Sequence, residues 1–563
     1  MRKSNWLLLV LALVLSMFLV ACSGGEDTDD TTSDDTNTSD EGNSEENAGD
    51  GEQVFNFLNG DTIPSMDPNM VTDTYGIEFT THTMEGLYRL GEDSLPVEGI
   101  AIDHEVSDDA TVWTFNLRED AEWSNGDPVT AHDFVYSWRR AVDPDTGSEY
   151  GPYMMGGVLE NATEINAGEM AIEELGVEAD GDYTLVVTLE KPVPYFESLT
   201  TFPTYFPLNE EFTEEQGDDF ATSTDTLLFN GPFTLENWDS VASEWEIVKN
   251  ENYWDAETVQ LDKITYQVMK EIQPQIDLYE QGEVDRAGIS SDFVDEYSTH
   301  EDYQITPEMS VFYMKFNQTR NEALDNVNIR KAISKGYNKN ALVDTILNNG
   351  SIVATGLMPA DFAPHPETGE TFRELNGDLV EFDAEEAQQL WEKGLEELGE
   401  ESVEIEYLTD DSETAKNQSE YIKNQLETNL PGLTVTLKQV PFEQRLDLDT
   451  AMDYDIQAAG WGPDYLDPNT FLDLWVTDGP NNYMGYSNPE YDALIEEAAN
   501  ELALEPVERY NAFLEAEQML FEDAAIAPTY QRARAQLIAP KVQGVQTNPF
   551  GSDYEYKWAY AAE

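Results

Sequence analysis

The chain has 563 residues, of which 115 are acidic and 28 basic, giving a formal net charge of −87. Phosphate repels so acidic a surface, which excludes nucleic acids and anionic membrane surfaces as partners. Apolar residues make up 40% and aromatic residues 11%, ample material for packed cores and unlike an acidic disordered tail. The single cysteine excludes a disulfide framework, and no Cys/His cluster has the spacing of a structural zinc site.

The N-terminus reads as an address. Arg2 and Lys3 precede an apolar run from Trp6 to Val20 broken only by Ser16, and Leu19-Val20-Ala21-Cys22 closes it. The run is short for a membrane span, which needs about 20 apolar residues. The pattern resembles a bacterial lipobox: residues 1–21 would be a removed signal peptide and Cys22 a new N-terminus carrying acyl chains such as palmitate. The alternative is an ordinary secretory signal with an incidental cysteine. Residues 23–52 hold 12 Asp/Glu and no Lys or Arg, a composition that self-repels and suits an extended tether. No Asp-x-Asp-x-Asp-Gly loop marks that segment as calcium-binding. With signal and spacer set aside, residues 53–563 still carry a formal charge of −77. Such self-repulsion calls for screening and implies a halophilic or otherwise high-salt source.

The body mixes strands and helices along its whole length. Strand-like alternation occurs at Thr111–Arg118, Thr184–Glu190, Glu244–Asn250, Ile264–Met269 and Val403–Leu408. Helical periodicity occurs at Val327–Leu347, Ala384–Leu398, Glu413–Leu426, Pro489–Ala503 and Pro506–Glu522, the last two opening with Pro in the first turn. No repeat is present, which points to α/β lobes rather than a solenoid or propeller.

No catalytic constellation is found. The chain lacks a Gly-x-Ser-x-Gly elbow, a His-Glu-x-x-His pair, a phosphate loop and a Gly-x-Gly-x-x-Gly turn. The five histidines (His82, His104, His132, His300, His365) are scattered, and acid pairs are too many for a glycosidase couple to stand out. The expectation is a protein that is not an enzyme, with no cofactor and no metal.

Several local sequences are nevertheless distinctive. Glu85-Gly86-Leu87-Tyr88, Trp113-Thr-Phe115-Asn-Leu117-Arg118 and the run from Trp123-Ser-Asn-Gly126-Asp127-Pro128 to Trp138 come first. Asn230-Gly231-Pro232-Phe233, Lys249-Asn250-Glu-Asn-Tyr253-Trp254, Gly282-Glu283-Val-Asp285, Phe316-Asn317 and Asn328-Ile-Arg330-Lys-Ala332 follow, and Gly460-Trp461-Gly462-Pro463-Asp464-Tyr465-Leu-Asp467-Pro468 closes the series. In order and approximate spacing these resemble oligopeptide-binding proteins of the OppA type, from the peptide transporter branch of solute-binding proteins, over about residues 53–563.

Read physically, most of these pieces are scaffold. Asn-Gly before Pro128 supplies a turn, Thr130 can cap a helix starting near Ala131, and Trp113 and Trp138 suit a core. The basic residues of Asn328–Ala332 suit surface or interdomain pairs. Gly460–Pro468 by itself reads as a capped turn after a strand-like Tyr454–Ala459.

The resemblance implies a periplasmic-binding-protein type II-like α/β fold with two lobes and an added domain. Lobe I would comprise residues 53–84, 211–311 and 527–563, the appended domain 85–210, and lobe II 312–526, with the ligand cavity between closing lobes. It implies capture of oligopeptides for an ABC permease by a monomer held on the outer face of the cytoplasmic membrane by its lipid anchor alone. Relatives that bind a signalling peptide, nickel or a sugar, and a secreted hydrolase, are the alternatives.

It further implies that Asp464 binds the peptide's α-ammonium while Trp461 lines the pocket, because a buried ammonium needs a charged partner. Thr72, Asp73 and Thr74 would flank the peptide backbone on one side and Gly460 and Gly462 on the other. Tyr153, Phe312, Tyr313, Phe442 and Tyr530 align with cavity aromatics, although aromatics are equally at home in a core. Some family members place an arginine three residues before this tryptophan to attract a short peptide's carboxylate. Here Ala458 stands there, so the expectation is a loosely held C-terminus and peptides of varied length.

Overall fold

The computed structural model describes residues 52–91 and 94–562. The leader, Cys22 and nearly all of the acidic spacer lie outside the described residues. Among the described residues no helix is long and apolar enough to cross a membrane.

The chain opens with β1 (Val54–Asn59), which buries alternate residues including Phe55 and Phe57. Helix α1 (Thr74–Thr83) follows, begun by Asp73, whose carboxylate accepts from the N–H groups of Tyr75 and Gly76. A helix leaves such first-turn donors without partners of its own.

After a short two-stranded ribbon of Tyr88–Leu90 and Pro96–Glu98, four strands make an antiparallel sheet of their own. These are β2 (Ala101–Val106), β3 (Val112–Leu117), β4 (Val177–Ala179) and β5 (Thr184–Thr188), in the order β2-β3-β5-β4. Helix α2 (Ala131–Val142) opens with a Thr130/Asp133 capping box. Its Trp138 is fully buried and donates its indole N–H to the Tyr205 carbonyl at 2.8 Å. Trp113 on β3 is only partly buried against the same core.

The chain then returns to β1. Strands β6 (Phe233–Glu236), β7 (Glu244–Lys249) and β8 (Lys263–Val268) complete a sheet ordered β1-β8-β7-β6, with β1 parallel to β8. Trp245, Ile247, Ile264 and Tyr266 join Phe55 and Phe57 in its core.

A third sheet has seven strands: β9 (Arg286–Ile289), β10 (Tyr303–Phe316), β11 (Ile352–Val353), β12 (Val403–Asp410), β13 (Leu433–Val440), β14 (Ile456–Trp461) and β15 (Ile526–Ile538). Its order is β9-β15-β10-β14-β12-β13, with β11 paired to β15. Helices α3 (Val327–Lys335), α4 (Ala384–Leu398), α5 (Glu413–Asn429), α6 (Phe442–Thr450) and α7 (Pro506–Glu522) connect these strands. The parallel pair β12 and β13 is joined by α5, as parallel neighbours require a crossover. The long antiparallel pair β10 and β15 shifts register between Pro307 and Val311 and again between Phe312 and Tyr313. Such bulges re-aim side chains, and these two lie in the wall of the cavity described below.

Helices α4 and α7 have the bounds their periodicity predicts. The helix expected over 327–347 is broken, because α3 stops at Lys335 and Asn338 caps a new start, followed by a π-helical stretch at Leu342–Leu347. A side-chain oxygen that serves backbone donors competes with helix continuation. The helix expected to run to Ala503 ends at Ala499.

The motifs that carry the family likeness pack as joints between layers. Asn230 accepts from the Glu85 N–H at 3.0 Å and donates to the Glu85 carbonyl at 2.9 Å. The buried Glu85 carboxylate receives Arg89 at 3.0 Å, the Tyr253 hydroxyl at 2.9 Å and the Trp254 indole at 2.7 Å. Arg89 also reaches Glu555 at 2.8 Å. Arg330 makes no charge pair of the surface or interdomain kind expected: it is buried and donates to the carbonyls of Leu324, Asp325, Asp523 and Ala524. Two helix ends leave those acceptors without intrahelical donors, and the guanidinium fork supplies them.

Candidate functional site

A cavity of about 640 Å³ lies between the start of α1, the bulged stretch of β10 and β15, α6, and the end of β14. Its size falls within the range of small-ligand sites. Thr72, Asp73, Thr74, Phe312, Tyr313, Phe442, Gly460, Trp461, Gly462, Asp464 and Tyr530 all line it. Tyr153 does not. Its ring packs edge-on against Trp461 at 6.0 Å, behind the wall.

Each wall follows from local structure. Phe312 and Tyr530, on adjacent strands, stack at 4.8 Å with ring planes 2° apart, and the Arg532 guanidinium lies 5.1 Å from the Phe312 ring. Gly460 sits opposite Phe312 in the ladder, where an added Cβ would come within 2.8 Å of that ring. Glycine therefore lets the aromatic lie on the backbone. Phe442 reaches Tyr75 edge-on at 5.5 Å across the cavity, and Tyr150 stacks near Trp461 at 6.4 Å.

Strand β14 is bordered by β10 along Ile456–Trp461, but β12 pairs with it only at Ile456 and Gln457. Residues Ala458–Trp461 thus present an unpaired strand edge, a surface onto which an extended chain can add by main-chain hydrogen bonds.

Beyond that edge the loop Gly462–Pro468 is held from below. Arg509 grips Asp467 with two buried bonds of 2.6 and 2.8 Å, and the Asp464 N–H donates to the Thr470 hydroxyl at 3.0 Å. The Asp464 side chain is buried, and its Oδ2 has no hydrogen-bond partner. Burial pushes this carboxyl well above the ordinary carboxylate range, the nearby charge of Asp473 adds to the push, and the adjacent Tyr153 hydroxyl opposes it. Asp473 is itself raised to about 8, chiefly by burial. An unsatisfied carboxyl at a cavity wall is a receptor for a cation. Asp73, in contrast, is pushed up to about 6 by burial while its carboxylate serves as the α1 cap.

Four cations line the cavity: Lys270, Lys315, Arg445 and Arg532. Lys270 joins Asp61 and Asp411, at 2.7 and 2.9 Å. Lys315 is bidentate to Asp449, and Arg532 pairs with Glu308 and Asp553. All four, together with Tyr75 and Tyr150, stand outside the motifs that mark the site in the sequence. A lone arginine within the acidic stretch Glu443–Asp455 was the available signal for Arg445.

The model of bacterial extracellular solute-binding proteins, family 5, matches residues 96–483. The chain is 34% identical to the dipeptide-binding protein of Lactococcus lactis over 512 residues, 88% of this chain and 92% of that one. It is 32% identical to the dipeptide-binding protein DppE of Bacillus subtilis over 553 residues, 98% of this chain and 97% of the other. Among solved structures it resembles Listeria monocytogenes OppA bound to peptide, at 45% identity and a TM-score of 0.87, covering 91% of this chain and 100% of that one. The chain belongs to family 5 of the bacterial extracellular solute-binding proteins, with the two-lobed α/β fold of the OppA type.

Proposed function

We propose that this protein captures oligopeptides outside the cytoplasm and delivers them to the membrane subunits of an ABC permease, without chemistry on the ligand. The observation that carries the reading is the buried, unpartnered Asp464 carboxyl beside the free edge of β14. A peptide's α-ammonium offers the charge and donors that this oxygen lacks, and its backbone fits the open edge. The relatives whose names include dipeptides, and the OppA bound to peptide, support the ligand class.

In this reading Trp461, Phe312, Tyr313, Phe442 and Tyr530 form the walls, Gly460 and Gly462 present backbone, and Thr72, just before the α1 cap, and Thr74, in its first turn, face them. Asp73 acts as a cap that fixes the rim, and Tyr153 supports Trp461. The lobes divide as 53–84, 211–311 and 527–563 against 312–526, with 85–210 appended. Calorimetry on one peptide, free and N-acetylated, tests the anchor. Acetylation is expected to weaken binding by about 2–5 kcal/mol, since it leaves Asp464 facing a neutral amide; equal affinities would remove the carboxylate from this role.

The protein is proposed to act as a monomeric lipoprotein, with Cys22 acylated and the acidic spacer holding the body off the membrane of a high-salt organism. Cys22→Ser is expected to yield folded, ligand-competent protein in the medium. Membrane retention equal to wild type would refute the anchor.

A further inference from the structure

A second cavity, of about 410 Å³, lies on the other side of the strands that wall the first. The facing pair Val311 and Gln531 lines it, whereas the next pair of the same ladder, Phe312 and Tyr530, lines the first cavity. Successive residues of a strand point to opposite faces, so β10 and β15 separate the two spaces. No residue lines both. Ile352, Met358 and Phe382 add apolar wall to the second, and two cations, Lys339 and Arg373, stand in it.

Arg373 is neutralised. Its guanidinium pairs with the buried Glu517 and donates to the Gly377 carbonyl at 2.9 Å. Glu517 also accepts from the N–H groups of Leu357 and Met358, at 2.9 and 3.1 Å, so that ion pair is built into the wall. Lys339 has no such partner. Only 1% of it is exposed, and among the described residues Nζ makes a single hydrogen bond, to the Val380 carbonyl at 3.1 Å. The Val380 N–H donates to the Thr355 carbonyl at 3.0 Å, and Thr355 and Glu381 both line the cavity, which places Nζ at its wall. Among the described residues no carboxylate lies within 4.0 Å of Nζ, and none offsets its desolvation. Burial pushes this ammonium down to about 7, and the charge of Lys335 adds to the push. An ammonium with two donors unused, buried at a cavity wall, is a receptor for an anion.

We infer that this second cavity binds a small organic monocarboxylate, its carboxylate on Lys339 and its aliphatic body against Val311, Ile352, Met358 and Phe382. A water molecule takes about 30 Å³ of the liquid, so an inorganic ion would leave most of the space unfilled. Asp378 and Glu381 line the same cavity and are exposed. Their charges disfavour a ligand with a second negative group, such as a dicarboxylate or a phosphate ester. The same acids attract an ammonium. Short branched fatty acids and free aliphatic amino acids therefore share the chemistry that the cavity recognises. The site is independent of the peptide reading, since its lining is its own.

The test is calorimetry on the full chain with isovalerate, isovaleramide, leucine and phosphate, for wild type and Lys339→Met. Isovalerate is expected to bind wild type at one site. Isovaleramide, of the same shape without the charge, should bind on the order of tenfold to a hundredfold more weakly, the range of a charge-assisted bond. Lys339→Met should remove that difference and leave the affinity for tri-alanine unchanged, and saturating tri-alanine should not displace isovalerate. Leucine and isovalerate compared on tri-alanine-saturated protein tell the two sources apart: tighter leucine marks an amino acid and tighter isovalerate a fatty acid, and either order supports the carboxylate site. The comparison of acid with amide uses wild type alone, so it decides the matter whether or not Lys339→Met folds. No binding of isovalerate, equal binding of acid and amide, an undiminished isovalerate affinity in Lys339→Met, or displacement by tri-alanine overturns the site. Displacement of isovalerate by phosphate at equal concentration overturns its selectivity for an organic carboxylate.

Discussion

Asp464→Asn is expected to stabilise the ligand-free protein at alkaline pH and nearly abolish peptide binding. The carboxyl is buried, Oδ2 lacks a partner, and burial followed by the charge of Asp473 raises its pKa well above the ordinary range. A folded pKa above the unfolded one means that the folded state holds the proton more tightly. The resulting stability is complete below the unfolded pKa and is lost as pH rises through the folded one. The amide has no such term. Wild type and variant should therefore melt together only below about pH 4, the unfolded carboxylate range, and separate progressively at higher pH, the variant gaining about 1–3 kcal/mol, the cost of an unsatisfied buried group. Binding should fall by about 2–5 kcal/mol, since the ammonium loses its counter-charge. The same pKa predicts proton release on binding, visible as a dependence of the calorimetric enthalpy on the ionisation enthalpy of the buffer. A variant that melts below wild type at high pH, or that still binds peptide with unchanged affinity, would contradict the assignment.

Arg89→Met should cost about 3–5 kcal/mol of stability, the range for breaking a buried ion pair from one side. Arg89 bridges Glu85 and Glu555, and all three side chains are buried. Burial pushes the Glu555 carboxyl up, but the charge of Arg89 pulls it below its usual range. A depressed folded pKa gives stability that is present above the unfolded pKa and lost as pH falls through the folded one, so the difference between variant and wild type should narrow in acid. Replacing Glu85 and Glu555 by Gln in the same variant should restore most of the loss, because no uncompensated charge remains. Salt separates this joint from the surface. Both proteins should melt lower at about 0.05 M salt than at about 2 M, where the self-repulsion of an acidic surface is screened. The gap between them should stay constant, because buried charges are little screened. Equal melting of Arg89→Met and wild type in denaturant would show the bridge to be dispensable.

The two expectations explain different parts of the family likeness. Glu85, Asn230, Asn250, Tyr253 and Trp254 form or buttress the joint around Arg89. The end of β14 and the loop Gly462–Pro468 form a cavity wall, with Asp464 facing the cavity and Asp467 tied to Arg509. Two carboxylates three residues apart thus have opposite fates, set by whether a guanidinium reaches them.

What the sequence determined by itself is local. Periodicity placed α4 and α7, and alternation placed β3, β5, β7 and β8 to within two residues, because amphipathic patterns repeat within one element. Motif order identified the fold and the Gly460–Asp467 loop, whose glycines and acids are contiguous in the chain. What only the tertiary structure decided is which charges meet. Arg330 is a buried fork for four carbonyls and Asp73 a helix cap, while Tyr153 stands behind the cavity wall. Lys315, more than a hundred residues earlier in the chain, takes Asp449 through both oxygens. Pairing between charges depends on distances across strands and layers far apart in the chain, and in a sequence with acids at every turn no spacing rule selects the partner. Burial then fixes the outcome, since the same carboxylate is a cap, a bridge or a receptor according to the donors that folding brings within reach.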